Sequence, residues 1–162
     1  MVRQQITSVE AVQNAALGSV LLWSFGRGYQ EEKMGRLPVL PLAFLCLPLV
    51  LHRPTLELVS GTFPSSGLGK FIVKFERHRE DLMAVHDRAL AMRRLTLESL
   101  STGSAAGLLS IMYEDARLRA NEVKLRKPSE RIRPYTAAAD KLGRWFARVP
   151  APNVFSLLRV TP

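Results

Sequence analysis

One cysteine, Cys46, and three histidines, His52, His78 and His86, are all that this chain of 162 residues holds of the side chains that build disulfide frameworks and soft metal centres. A structural zinc site needs paired spacings such as Cys-x-x-Cys or His-x-x-x-His, and neither occurs. A lone thiol makes no disulfide network, which favours the cytoplasm over secretion. Long hydrophobic runs are also lacking. The longest, Leu37 to Leu51, has 15 apolar or proline residues; as a helix it would reach about 22 Å, short of the ~30 Å core of a bilayer. Met1 to Gln13 is polar and mixed and does not read as a signal peptide. Motifs of catalysis are scarce too. There is no Gly-x-x-x-x-Gly-Lys-Ser/Thr loop, since Gly26-Arg27-Gly28 and Gly67-Leu68-Gly69-Lys70 are incomplete, and no Gly-x-Ser-x-Gly elbow. Glu80 and Asp81 suit a helix N-terminus better than an acid/base pair. The expectation is a protein without enzymatic activity, bound metal or cofactor.

Negative charge is the minority: 14 Asp and Glu face 23 Lys and Arg, for a net charge of +9 and a pI near 10.4. Such an excess favours nucleic acid, an acidic protein surface or anionic lipid as a partner, without choosing among them. The 47% hydrophobic composition is enough for a sizeable core, so one compact, mainly α domain over 1–162 is expected.

Asn14 suits the N-cap of a helix through Leu17, Val20, Leu21, Leu22, Trp23 and Phe25, ending near Gly26 and Gly28, with Tyr29 to Lys33 exposed beyond it. In the proline-punctuated run, Pro41 fits a first helical turn and Pro48 an interior kink, giving a buried helix over Leu42 to Leu51. A short helical piece, Thr55 to Val59, completes an apolar N-terminal part over 14–59. Ser60 to Gly67 reads as a loop and flexible joint.

Leu68, Phe71, Ile72 and Phe75 repeat the helical period, and one helix over Arg79 to Met92 and another over Leu95 to Ala106 follow. Leu108 to Glu122 reads as a hairpin turning at Glu114 and Asp115. The order helix, helix, glycine, hairpin over 68–122 fits a winged-helix-like element; a helical bundle with one surface hairpin fits the same periodicity. Lys124, Arg126, Lys127, Arg131 and Arg133, interrupted by Pro128 and Pro134, form an extended basic run. It is either a phosphate-contacting segment or a solvated linker. Thr136 to Val149 is a helix with Leu142, Trp145, Phe146 and Val149 on one face, stopped by Pro150 and Pro152; a short helix or strand over Asn153 to Val160 closes a C-terminal part, 136–160.

Four blocks carry a resemblance: NAALGSVLLWSFGRGYQEE from Asn14, LPLAFLCLPLVLHRPT from Leu40, AAGLLSIMYEDARLRA from Ala105 and LGRWFARVPAPNVFSLLRVTP from Leu142. In order and spacing the chain resembles the middle component of bacterial three-component ABC (ABC-3C) conflict systems, and is similar to the small accessory subunit of Lamassu anti-phage systems. Asn14-Ala15 stands where relatives are expected to carry Asn-Pro. The resemblance implies a non-catalytic accessory subunit that docks on an SMC- or Rad50-like ABC ATPase and helps control a nuclease-type effector until foreign DNA is sensed. ATP and metal would belong to those partners.

Under that resemblance, Trp23, Arg27 and Tyr29 are the candidate partner-interface residues, because aromatic and arginine side chains dominate interface energies. Lys124, Arg126, Lys127, Arg131 and Arg133 are the candidate DNA contacts. The alternative is a free-standing winged-helix DNA-binding regulator, but its recognition helix, Leu95 to Ala106, has no Arg, Asn or Gln to read bases. A lipid-surface protein is a third reading, which Thr136 to Val149 fits only loosely.

Overall fold

The computed structural model describes residues 14–162. Helix α1, Ala15–Glu32, starts where the sequence predicts: the Asn14 carboxamide oxygen accepts the Leu17 N–H at 3.0 Å. It does not stop at Gly26 or Gly28. Both glycines lie inside the helix, where neighbouring chain comes close. A β carbon on Gly26 would sit 2.8 Å from that of Ala120, and one on Gly28 would overlap the Asp140 carbonyl oxygen. The helix ends one turn later, and the chain reverses through Met34 and Gly35, both at positive φ.

The apolar run forms α2, Leu40–Val50, with Pro41 in its first turn and Pro48 inside it. Its residues from Leu45 onward are buried without interruption. A bend of 100° separates it from α3, Arg53–Ser60, which Pro54 helps start. Among the described residues no single helix is long and apolar enough to cross a membrane. A 3-10 turn, Pro64–Ser66, leads into α4, Gly67–Glu76, which buries Leu68, Phe71, Ile72 and Phe75 as the spacing predicts.

The expected helix over Arg79 to Met92 is two helices, α5, Arg79–Met83, and α6, Val85–Ala91. The break at Ala84 lets both Leu82 and Val85 reach the core and leaves Met83 and Leu90 more than half exposed. Helix α7, Arg93–Ala105, ends just before Gly107 at φ 76°. The hairpin follows: β1, Leu109–Met112, pairs antiparallel with β2, Arg117–Ala120, in the register Leu109 to Ala120 and Met112 to Arg117. Its outer edge is held by residues 38–40, since Leu118 N–H donates to the Pro38 carbonyl at 3.0 Å and Leu40 N–H to that of Ala116 at 2.8 Å.

Helix α8, Arg133–Ala147, begins three residues before the expected Thr136, because Pro134 suits a first turn. Helix α9, Ala151–Leu157, resolves the tail as helical. The centre of the molecule is the packing of α1 along α8, with α7 on the other flank of α1. Phe25 meets Phe146 edge-on at 5.6 Å, and Phe71 stacks on Trp145 at 5.6 Å. The segment read as a flexible joint is tied to this centre. Pro64 O accepts Trp145 Nε1–H at 3.0 Å and Arg148 Nη1–H at 2.9 Å, and Lys141 Nζ donates to Val59 O and Thr62 O.

Candidate docking groove and basic segment

Strand β2 leaves its partner at Asn121, and α1 holds it there. The Gln30 side chain brackets Ala120, accepting its N–H at 2.7 Å and donating to its carbonyl at 3.1 Å. Trp23 Nε1–H donates to Asn121 O at 2.8 Å, and Asn121 Nδ2–H to Gly107 O at 2.9 Å. Beyond this anchor the chain runs on without helix or strand pairing to Ser129. Among the described residues, no main-chain hydrogen bond joins residues 122–128 to another segment. An open groove of about 1520 Å³ lies between this segment, the outer face of α1 and the face of α8 that carries Thr136, Asp140 and Arg144.

Leu17, Val20 and Trp23 of α1 supply apolar lining. From the segment side come Val123 and Leu125, each 39% exposed. Lys124, Arg126 and Lys127 interleave with them, exposed, and among the described residues none is paired with a carboxylate. The acids at the α1–α8 side of the groove are engaged instead. Arg144 Nε–H donates to Asp140 at 2.8 Å and its Nη2 binds Glu31, which also faces Arg27 at 3.8 Å. The hydrogen bond to Asp140 chiefly, with that to Glu31, pushes the Arg144 pKa further up against burial, so this cation is permanent. The groove therefore keeps apolar surface beside unneutralised positive charge.

Of the residues singled out from sequence, the groove gathers Trp23 and Arg27 with Lys124, Arg126 and Lys127. Trp23 is half-buried and spends its indole N–H on Asn121. Tyr29, expected to be exposed, is only 7% exposed and turned into the core, because α1 continues past its glycines; burial raises its phenol pKa, against the opposing pull of Arg117 and Arg36. Arg131 and Arg133 are exposed but do not line the groove; Arg133 borders a smaller hollow of about 440 Å³ with Glu130 and Lys141. Leu17, Val20, Val123 and Leu125 were missed as a group. Their alternation with charged residues in 122–127 is the sequence signal that could have found half of them.

Cys46 is fully buried, and burial pushes its thiol pKa well above the ordinary range, which leaves it unreactive. Among the described residues, no group of three or more His, Cys, Asp and Glu is placed to hold a metal ion.

The family model described as ABC-three component (ABC-3C) system Middle Component 3 matches residues 3–162. No curated protein and no solved structure matches the chain.

Proposed function

The chain belongs to the ABC-three component system Middle Component 3 family, and from that premise we propose that it is a non-catalytic accessory subunit of a cytoplasmic complex for antiviral, anti-phage or anti-plasmid defence. It docks on an SMC-like ABC ATPase and helps keep a nuclease-type effector controlled, in the manner of the small Lamassu subunit. The observation that carries this reading is the groove: a family member of a multi-component system presents an apolar channel whose wall is an irregular segment without main-chain partners among the described residues. Unpaired strand edges are surfaces that proteins ordinarily cover. An apolar channel rimmed by polar groups marks a contact site.

Within the complex, the exposed cations Arg131 and Arg133, outside the groove, contact DNA phosphates, while Lys124, Arg126 and Lys127 line the groove and reach DNA only where no partner fills it. Their closeness along the chain, with Lys124, Arg126 and Lys127 on the irregular segment and Arg131 and Arg133 at the entry to α8, supports this, because a basic track follows a phosphate backbone without reading bases. The helix–helix–hairpin order of α6, α7 and β1–β2 supports a winged-helix-like element used for protein contact.

Co-expression with the neighbouring components, and purification through a tag on this chain, tests the reading. Recovery of the ATPase at a fixed ratio through gel filtration is expected. A chain that elutes alone and binds one DNA site tightly would instead establish the free-standing regulator.

A further inference from the structure

The groove is too large for the ~300–1,000 Å³ typical of small-molecule sites and too open to enclose one. Its wall, 122–128, follows β2 without helix, strand or turn, and its main-chain N–H and C=O groups are unpaired among the described residues. Side chains alternate along it: Val123 and Leu125 are apolar, Lys124 and Arg126 cationic. A nucleic-acid duplex offers phosphates while its base faces are stacked away, leaving Leu17, Val20, Val123 and Leu125 uncovered. A protein strand offers both, since adding a strand to an exposed edge gives main-chain affinity while alternate side chains fill apolar lining. The sign of the charge selects the partner. Glu31 and Asp140 are taken up by Arg27 and Arg144, and Glu122 alone of the lining acids stands against Lys124, Arg126 and Lys127, so the segment stays net positive: acidic side chains meet attraction there and basic ones repulsion.

We infer that the groove between α1, α8 and residues 122–128 receives an extended stretch of a partner protein in which aliphatic or aromatic side chains alternate with Asp or Glu. The inference rests on the reading of the chain as a subunit held by partners, and it names the contact. Arg131 and Arg133, outside the groove, remain available to DNA while it is filled.

Photo-crosslinking in the assembled complex tests it. The chain is made with p-benzoylphenylalanine at Glu122 or at Leu125, the first exposed and the second 39% exposed, and co-purified with the ATPase and effector components. Irradiation followed by peptide mapping is expected to join both positions to one acidic, apolar stretch of a partner. Combined Lys124→Glu, Arg126→Glu and Lys127→Glu substitutions should lower the yield about tenfold. Crosslinks into this chain's own residues 1–13, into a second copy, or into added DNA would each overturn the inference. An intact complex with no crosslink at either position overturns it alone; failure of the complex to assemble sinks the subunit reading as well.

Discussion

Gly143 of α8 lies against the carbonyl oxygen of Phe25 on α1 so closely that a β carbon at Gly143 would overlap it. Gly28 makes the reciprocal approach to the Asp140 carbonyl, so the two helices cross main chain to main chain. Overpacking a close-packed site costs about 1–3 kcal/mol. Gly143→Ala is therefore expected to lower the free energy of unfolding by about 2 kcal/mol or more. Gly69→Ala, where a β carbon would meet no atom within 4 Å beyond its chain neighbours and its own helix backbone, should be neutral or raise it by up to ~1 kcal/mol. Urea titrations of the two variants check both signs.

These glycines also mark where the sequence was hard to read. Gly26 and Gly28 have the composition of a helix stop, and only the approach of Ala120 and Asp140, over a hundred positions away for Gly28, turns them into packing notches. Tyr29 followed the same error to the surface. By contrast the Asn14 cap, the burial of Leu68, Phe71, Ile72 and Phe75, and the turn of the hairpin rest on local spacing and came through. The basic run was legible only up to Ser129: Lys124, Arg126 and Lys127 stay out of helix and sheet, whereas Arg131 lies in a turn and Arg133 and Pro134 open α8, since proline suits a first helical turn. The groove was not, because Trp23 and Asn121 meet across 98 positions.

Lys141 closes the C-terminal end of α3. Its ammonium donates to Val59 O at 3.0 Å and Thr62 O at 2.9 Å and lies 5.9 Å from the Trp145 ring centre; burial, then the nearby Lys74, lowers its pKa. Lys141→Met keeps the stem and leaves these carbonyls without the donor. A loss of about 1–3 kcal/mol is expected in chemical denaturation, and an unchanged midpoint would contradict this role.

His52 sits between α2 and α3, its Nδ1 2.7 Å from Thr55 Oγ1 and its Nε2 3.8 Å from Asp81. Burial lowers its pKa below the usual 6.5, Arg88 lowers it further, and Asp81 only partly opposes them. The unfolded chain therefore binds a proton at His52 more readily than the folded one. Stability from this group is fully present above pH 6.5 and is lost as the pH falls below it toward the folded pKa. Thermal melts from pH 7.5 to 5 should show this decline, and His52→Gln should flatten it.

Arg131 and Arg133 are the proposed DNA contacts that lie outside the groove. Reversing both to Glu should weaken DNA binding by the assembled complex and reduce the slope of log K against log salt by about 1.8. Complex assembly should be unaffected. Equal slopes for the parent and variant complexes would remove these residues from the DNA interface.

Hydrogen exchange on the isolated chain and on the chain within the purified three-component complex is the most direct measurement of the central claim, that this protein is a subunit held through its groove. Amides of residues 122–127, without a main-chain partner among the described residues, should exchange rapidly alone and slow by at least about tenfold in the complex, while the α1–α8 centre stays protected in both. Identical exchange of 122–127 in the two states, with protection arising elsewhere or nowhere, would contradict it.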